Sequence, residues 1–398
     1  MTEQLREHGL AAPILVRTTR PGRWRTMASV GVAMMFHDRL KLLGTLAGVF
    51  FAVVLTDQQA GTFLGLMDKN TMFVEHSGAD IWIVPPETNQ LIPGKALADT
   101  ALYVARETRG VAWAEPLLYG IADVALPSGG SEEVSLSGSE PPRFAGGPWN
   151  MVAGTPEVLS LPDAVVFEDS QRDKLGDINL GSLRELNGHR VRVAGFTWGL
   201  LPFAPPYAFA NSALARSILH IPPGRLSFVL IGVQPGQDPK AVAAAIQARL
   251  PEVEVVPRTV LQHNIVVYLL TKTALGISFA TSTLFGLLIG LVIVSLTMFS
   301  SVVDNIRQFG TLKALGTSTS DLAKLLAVQS LVYGVVGSLI GLATVLAIAA
   351  VLRSPNLALI LPSGVVIGTI FIMVLLCIFA SALSLLRLRK VEPAMVFR

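Results

Sequence analysis

The sequence predicts a membrane α-helical bundle of four transmembrane helices, with a large extracytoplasmic α/β plus β-rich domain between the first and second helices. Its 398 residues are 51% hydrophobic and only 15% charged, with a mean hydropathy of +0.56. That is too apolar for a soluble protein of this size. Long apolar runs lie near residues 42–66, 273–303, 325–352 and 354–386, whereas residues 70–262 have an ordinary globular composition.

Three of the spans follow directly from length, because about 20 apolar residues in a helix cross the hydrocarbon core of a bilayer. We predict the second, third and fourth transmembrane helices at 263–303, 325–352 and 357–387. Pro362 and Gly364 place the true start of the fourth helix near Leu361.

The first span, predicted at 42–69 with an external extension, contains the polar run Thr56-Asp57-Gln58-Gln59. We interpret it as one long helix that enters the bilayer near Leu40 and leaves it beyond Asp57, with the polar patch at the outer interface or facing a partner helix. Unpaired polar groups are costly in lipid. Asp57 and Gln58 are therefore candidates for an intramembrane polar site.

Charge gives the orientation. Residues 70–262 hold 14 of the 31 Lys and Arg and 20 of the 28 Asp and Glu, which leaves 17 basic and 8 acidic residues elsewhere. The basic residues flank the spans on one side, so the positive-inside rule places both termini and the loop between the second and third helices in the cytoplasm. The expected location is the inner (cytoplasmic) membrane of a bacterium, as a multi-pass protein in contact with membrane lipids.

The cytoplasmic N-terminal segment, residues 1–41, is expected to hold an amphipathic helix at 26–41 that lies on the inner membrane face. It does not read as a cleaved signal peptide, because the apolar run Ala11–Val16 is short and is followed by arginine. Residues 388–398 are expected to form a cytoplasmic tail.

Residues 70–262 are predicted to open and close with a strand–helix–strand unit, with an inserted β-rich subdomain at about 128–215 between the two units. The first unit is Asp80–Val84, Leu97–Thr108 and Trp113–Leu126, and the second is Ser227–Val233, Lys240–Leu250 and Glu252–Val256. The aromatic segment Phe196–Phe209 forms either the core of the insert, which we favour, or an exposed partner surface. The single cysteine, Cys377, lies in the last span, so the domain relies on a hydrophobic core.

No catalytic centre is predicted for this chain. It has no Gly-x-x-x-x-Gly-Lys-Ser/Thr motif, so ATP and Mg are expected on a partner subunit rather than here. It also has no His-x-x-x-His or cysteine pair to hold a metal, and the histidines are scattered. We therefore expect no cofactor, no metal and no nucleic-acid partner.

The strongest local pattern is the charged stretch at 304–324 between the second and third spans. A short helix is predicted to stop at Gly316, with a Ser or Thr cap starting the next one. This segment is either a compact knob that a cytoplasmic partner contacts or a tight loop with cationic membrane anchors.

Glycines four residues apart occur in several spans, and such spacing lets helix backbones approach closely in lipid. We interpret them as helix-packing positions at a bundle or dimer interface. The candidates are Gly44, Gly48, Gly286, Gly290, Gly337 and Gly341.

The stretch from Arg307 to Gly316 (RQFGTLKALG) is similar to the Arg-x-x-Glu-Ile-Gly-x-Leu-Lys-Ala-Leu-Gly run of the FtsX and MacB-like permeases of ABC transporters, especially stand-alone permeases such as DevC. The closing Leu388–Met395 resembles the terminal Pro-x-x-x-Leu signature of that family, and the strand Ala79–Val84 after the first span also fits. Gln308-Phe309 departs from the pattern, because many members have an acidic residue there.

The resemblance implies a homodimeric permease paired with a separate ABC ATPase subunit and working by mechanotransmission, in which nucleotide-driven closure is passed along the helices to the external domains. It also implies a periplasmic adaptor and an outer-membrane channel as candidate partners. The ATPase-coupling residues would be Arg307, Phe309, Lys313, Leu315 and Gly316, with the 26–41 helix as a second contact.

The function implied is export or extraction of an amphipathic or lipid-like cargo. Three alternatives stay open: an FtsX-like signalling coupler that controls a periplasmic partner, a lipoprotein-releasing permease, and a haem-efflux permease. The large external domain favours transport over pure signalling.

Overall fold

The structure is a computed structural model that describes residues 29, 31–36, 39–91, 96–200, 205–314, 317–351 and 359–388. Within these residues, four helices are long and apolar enough to cross a membrane: Arg39–His76, Ala274–Asp304, Ser320–Val351 and Ser363–Leu383. A strand-rich domain lies between the first and second of them in the chain. The fold class predicted from the sequence is therefore confirmed.

Beyond a helical segment at residues 31–36, the α-helices of the described residues are α1 (Arg39–His76), α2 (Thr100–Glu107), α3 (Ser212–Ile218), α4 (Pro239–Gln247), α5 (Arg258–Lys272), α6 (Ala274–Asp304), α7 (Ile306–Ala314), α8 (Thr319–Val351) and α9 (Ser363–Leu388). The strands are β1 (Ile81–Val84), β2 (Leu97–Ala98), β3 (Val111–Ala125), β4 (Ser131–Ser139), β5 (Met151–Ala153), β6 (Ala164–Glu168), β7 (Leu183–Leu186), β8 (His189–Thr197), β9 (Tyr207–Asn211), β10 (Arg225–Leu226), β11 (Phe228–Val233) and β12 (Glu254–Pro257).

Two compact units make up the chain. The first holds the described parts of Met1–Phe51, Ile289–Ile340 and Ile370–Arg398, and the second holds those of Ala52–Leu288 and Gly341–Thr369. The strand-rich part of the second unit, residues 77–257, is called the head domain below.

The head domain begins as the sequence predicts, with strands around a helix, but its first helix is shorter than expected. Residues Leu97–Ala98, predicted to be helical, pair instead with β10 as a two-stranded sheet, and α2 starts at Thr100. Because Leu97 and Ala98 are extended and paired with β10, the helix can begin only after Ala98. Strand β1 lies between β11 and β12 and pairs antiparallel with both.

The β-rich part of the head domain is a small closed barrel. Strands β3, β4, β9, β6 and β8 pair in that order, and β7 pairs with both β8 and β3, which returns the path to its start. The closing contact is the single pair Val124–Leu186. Closure removes free strand edges, and apolar side chains such as Val134, Phe167 and Val193 fill the interior.

The boundary predicted for the inserted subdomain, 128–215, is too late. The 15-residue strand β3 pairs with β11 through its first half and with β4 from Leu118 onward. One strand thus belongs to both regions of the head domain, and the barrel begins inside it.

Most of the aromatic segment that begins at Phe196 is core, as favoured from the sequence. Phe196, Tyr207 and Phe209 are buried, and Trp198 is 41% exposed. Residues 201–204 lie outside the described residues.

The predicted second span, 263–303, is two helices rather than one. Thr273 is extended (φ −111°, ψ 157°) and separates α5 from α6. A Cβ on Gly276 would overlap the carbonyl group of Leu270, so the close return of the chain after the break depends on glycine. The break follows the polar residues Thr271 and Lys272, and the long apolar run at 273–303 corresponds to α6.

The other spans have ends close to those predicted. The fourth span starts at Ser363 rather than 357. Pro362 comes directly before it, and proline has no amide hydrogen to donate within a helix. Its carbonyl oxygen accepts the first bond of the helix, from the amide of Val365. The predicted tail beyond Leu388 and most of the 1–41 segment lie outside the described residues.

Candidate functional site

The first unit contains the charged stretch that the sequence analysis selected. We call α7, the C-terminal end of α6, the N-terminal half of α8 and the helical segment 31–36 the junction. Its centre is an apolar cluster formed by Val302, Phe309, Leu322, Leu325 and Leu326, with Met34 packed against it. Phe309 is 3% exposed. Phe309, which stands where the resemblance leads one to expect an acidic residue, is therefore the side chain that fixes α7 to its neighbours.

The turn from α6 into α7 is held by polar side chains at residues 300–305. Asn305 donates from Nδ2 to the carbonyl oxygen of Ser301 (2.8 Å), and its own carbonyl oxygen accepts from the amide of Phe309 (3.0 Å). Asp304 accepts from the hydroxyl of Ser300 and pairs with Lys41 of α1, with Nζ 2.6 Å from Oδ2. The start of α1 and the end of α6 are thereby tied at the same point as α7.

Helix α8 begins with a side-chain cap at Ser318. The amide of Asp321 donates to the Ser318 hydroxyl (3.2 Å), and that hydroxyl donates to the Asp321 carboxylate (2.8 Å). The ammonium group of Lys324 lies 3.3 Å from the same carboxylate. A cap of this kind satisfies amides that have no partner inside the helix, and it fixes the chain direction into α8.

The helical segment 31–36 packs on α8. Gln329 of α8 donates from Nε2 to the carbonyl oxygen of Gly31 (2.9 Å), and a Cβ on Gly31 would lie 3.3 Å from the side chain of Leu325. Met35 is 4% exposed. The amphipathic helix predicted at 26–41 is described only incompletely, and one face of its described residues is buried against protein.

The outer face of α7 is polar and cationic. Arg307 and Gln308 are exposed and Lys313 is half-buried, whereas Leu315 and Gly316 lie outside the described residues. Of the five predicted coupling residues, the structure therefore shows Arg307 and Lys313 available for contact and Phe309 buried beneath them.

The glycines selected from the sequence lie against neighbouring helices of the same chain. A Cβ on Gly48 would overlap Ile293 of α6, and one on Gly337 would lie 2.7 Å from Val49 of α1. Gly44 and Gly286 have looser neighbours, Thr297 at 3.9 Å and Leu55 at 3.4 Å. Gly290 and Gly341 are buried.

Gly334 makes a tighter contact that sequence reasoning missed. A Cβ there would lie 2.9 Å from the Cα of Val374, so the backbones of α8 and α9 meet at this position. The spacing of Gly334 and Ser338, two small residues four apart, is the signal that could have identified it.

Asp57 and Gln58 differ in their surroundings. Gln58 is exposed, whereas Asp57 is 1% exposed and is hydrogen-bonded to the Thr369 hydroxyl of α9. Among the described residues, Oδ1 of Asp57 and the hydroxyl of the adjacent Thr56 have no hydrogen-bond partner. A buried polar group without a partner is costly in a membrane span. Asp57 thus faces a partner helix, which is one of the two placements expected.

Replacing Thr369 with valine should destabilise the protein by about 1–3 kcal/mol, because it removes the hydroxyl that bonds Asp57 while keeping the side-chain shape. The double variant Asp57→Leu/Thr369→Val removes both polar partners and should be more stable than Thr369→Val alone. Unfolding by heat in detergent, followed by tryptophan fluorescence, measures both. Equal stability of wild type and Thr369→Val would contradict the assigned bond.

The far end of α1 is embedded in the head domain, which the sequence did not indicate. Phe73 is fully buried and its ring lies 5.3–6.3 Å from those of Trp82, Tyr119, Trp149 and Tyr207. Burial raises the pKa of Tyr119 to about 12, and burial also raises the pKa of Tyr207 well above 10. Both phenols lie in the same buried apolar cluster as Phe73, so these rings pack the end of α1 against the head domain.

A polar contact supports the same attachment. Lys69 of α1 donates from Nζ to the carbonyl oxygen of Gly199, two residues after the end of β8. The buried carboxylate of Glu168 accepts from the Thr197 hydroxyl (2.9 Å) and from the amides of Gly199 (2.7 Å) and Leu200 (3.1 Å). The chain that leaves the barrel is therefore fixed on one side by Glu168 and on the other by α1.

Among the described residues, no group of three or more His, Cys, Asp or Glu side chains is placed to hold a metal ion. The expected absence of a cofactor on this chain stays a prediction.

Comparison with known proteins agrees with these features. A family profile for the MacB-like periplasmic core domain matches residues 42–249, and one for the FtsX-like permease C-terminal region matches residues 280–393. The first covers more than half of the chain. The chain belongs to the FtsX/MacB-like permease family, which agrees with its four candidate membrane helices and the large domain between the first and second of them.

Individual relatives are distant. An uncharacterised ABC transporter permease protein of Mycobacterium tuberculosis, Rv0987, is 25% identical over 273 residues, which are 65% of this chain and 31% of that protein. This chain thus spans about a third of the length of that relative.

Two solved structures are similar to part of this chain. The periplasmic region of MacB from Actinobacillus actinomycetemcomitans covers 48% of this chain and 95% of its own at 10% identity, with a TM-score of 0.37. The extracellular domain of the noncanonic ABC-type transporter YknZ from Gram-positive bacteria covers 45% and 98% at 11% identity, with a TM-score of 0.34.

Proposed function

We propose that this chain is a non-catalytic permease subunit that works by mechanotransmission, paired with a separate ABC ATPase subunit as a homodimer in a bacterial inner membrane. The junction faces the cytoplasm, together with both termini, and receives the ATPase. The head domain lies outside and handles an amphipathic or lipid-like cargo, together with a periplasmic adaptor and an outer-membrane channel.

The observation that carries this proposal is the course of α1. It is one uninterrupted helix of 38 residues, which at about 1.5 Å per residue is about 57 Å long. Near its start, Lys41 is tied to Asp304 at the junction, and near its end Phe73 is buried in the aromatic cluster of the head domain. A rigid element with an attachment at each end can transmit a displacement without a channel for ions or substrate.

Charge supports the assignment of the ATPase to α7. Arg307 and Lys313 give its outer face a positive charge, and Phe309 beneath them packs against α6 and α8. The proposed contact is with acidic groups in a groove of the ATPase. The apolar faces of α6 and α9, with Val292 63% and Phe371 63% exposed in the single chain, remain for lipid or for the second copy.

The experiment is purification of the tagged protein in mild detergent after crosslinking, with mass spectrometry of the retained proteins and an ATPase assay. We expect an ATP-binding subunit to co-purify with wild type and to be lost from the Arg307→Glu/Lys313→Glu variant. The matched control is Lys240→Glu, a charge reversal at an exposed lysine of the head domain, which should retain the subunit.

Two results would count against the proposal in different ways. If no ATP-binding subunit is captured with wild type under any crosslinking condition, the pairing itself is wrong. If the subunit is captured equally by wild type and by the double variant, the pairing holds but the contact does not lie on α7.

A further inference from the structure

Two histidines of the head domain, His189 and His220, have rings in contact, at a separation that one metal ion can bridge. Their rings are 5.9 Å apart between centroids, at an interplanar angle of 67°. A metal ion lies about 2.1 Å from an imidazole nitrogen, so two rings that share one ion have centroids at most about 6.5 Å apart. The observed separation falls within that limit although the two residues are distant in the sequence.

The two backbone segments that carry these histidines are tied together by the side chain of Asn187. Asn187, in the turn before His189, donates from Nδ2 to the carbonyl oxygen of Ile218 (3.0 Å), just before His220. Asn187 is itself fixed to β3, because its Oδ1 accepts from the amide of Asp123 (2.9 Å) and its amide donates to the Asp123 carbonyl oxygen (3.0 Å). The spacing of the histidines is therefore built into the fold.

The orientation of His189 matches that of a metal ligand. Its Nδ1 lies 3.2 Å from the carbonyl oxygen of Asn187. With the proton on Nδ1 donated to this oxygen, Nε2 carries the lone pair and is directed away from the backbone. Metal-bound histidines almost always have their second nitrogen bonded in this way, to a carbonyl or a carboxylate.

The backbone of His220 has an unusual conformation for a residue with a side chain. It follows the end of α3 in the left-handed region, with φ of +52°, a position that usually takes glycine. His220 is exposed and His189 is half-buried, so both imidazoles are accessible from solvent.

We propose that His189 and His220 form a binding site for a divalent transition-metal ion of the class that prefers imidazole, which comprises Zn²⁺, Cu²⁺ and Ni²⁺. Water completes the coordination, because the described residues supply no third histidine, cysteine or carboxylate to the group. The bound ion joins the tip of the β7–β8 hairpin to the end of α3. That hairpin also makes the single pair that closes the barrel, Val124–Leu186, so the ion strengthens closure.

The test is isothermal titration of the full-length protein, purified in detergent with a histidine-free tag and treated with chelator, against ZnCl₂. Wild type should bind one ion with an affinity at least tenfold above that of His189→Ala or His220→Gly. Glycine suits the left-handed backbone at residue 220, so this variant should fold at least as well as wild type. His263→Ala, on α5 and outside the pair, is the control and should bind like wild type.

Two further readouts separate a site from loose surface binding. Asn187→Ala should weaken binding about tenfold by releasing the supporting bond. ZnCl₂ should raise the unfolding temperature of wild type and leave that of His220→Gly unchanged, because a ligand stabilises only a protein that binds it. Equal binding by wild type, His189→Ala and His220→Gly would overturn the proposal, as would an equal loss in His263→Ala.

Discussion

Replacing Phe309 with alanine is expected to destabilise the junction by about 3–5 kcal/mol, the usual range for removing a large buried aromatic side chain. Phe309 is 3% exposed and is surrounded by Val302, Leu322, Leu325 and Leu326, which belong to α6 and α8. These helices cannot close the space that alanine leaves, because their ends are fixed by Asn305 and by the Ser318 cap.

The effect should extend from stability to coupling. Without the Phe309 anchor, α7 can tilt relative to α6, so that a force applied at its outer face no longer reaches the rest of the bundle. We expect Phe309→Ala to retain the ATPase subunit during purification while ATP hydrolysis loses its dependence on the permease. Thermal unfolding in detergent and ATPase assays with reconstituted protein measure the two effects.

The matched control is Arg307→Ala, two residues away on the exposed face of the same helix. Its stability should stay within about 0.5 kcal/mol of wild type, as is usual for surface substitutions, although the bound ATPase should decrease. If Phe309→Ala and Arg307→Ala unfold at the same temperature, Phe309 is not the anchor that we describe.

The second large effect is expected at Gly334, where leucine should destabilise the protein by about 3 kcal/mol, the upper end of the range for overpacking. A Cβ at this position lies 2.9 Å from the Cα of Val374 and 3.4 Å from its amide nitrogen. These are backbone atoms, so relief requires α8 and α9 to separate rather than a side chain to rotate.

Gly364 provides the control on the neighbouring helix α9. Nothing lies within 4 Å of a Cβ built there, and leucine has the better helix propensity. Gly364→Leu should therefore be at least as stable as wild type in thermal unfolding. Similar losses in Gly334→Leu and Gly364→Leu would show that glycine content, and not close packing at Gly334, determines stability.

The four membrane spans could be predicted from the sequence, because a bilayer requires a fixed length of apolar helix regardless of how that helix packs against others. The Ser or Thr cap of α8 was also predictable, since capping depends on residues three apart in the chain. Ser318 and Asp321 make that cap in the structure.

Contacts between distant residues were not predictable from one sequence. The barrel closes through Val124 and Leu186, 62 residues apart, and no local pattern indicates which strands meet. Phe309 was selected with the coupling residues, but α7 has nine residues, too few for its apolar spacing to show that one side chain points inward and the others outward.

Contacts between the membrane helices were predictable only in part. The GxxxG spacing identified Gly48 and Gly337, which do meet neighbouring helices, but it overlooked Gly334 because its partner four residues on is serine. Whether a small residue faces another helix depends on the rotation of the whole span, and this is set by contacts elsewhere in the bundle.

The most direct test of mechanotransmission is the distance between the two head domains of the dimer as the nucleotide state changes. A spin label at Glu132→Cys, an exposed position at the tip of the β3–β4 hairpin, combined with Cys377→Ala to remove the only native cysteine, gives one label per chain. Pulsed electron paramagnetic resonance then measures the label separation with the ATPase subunit in nucleotide-free and ATP-trapped states.

We predict that ATP trapping shifts this distance distribution by several ångströms in the parent protein and leaves it unchanged in the Arg307→Glu/Lys313→Glu variant. A distribution that stays the same in the parent protein while the ATPase subunit is bound and hydrolysing ATP would contradict mechanotransmission through α1.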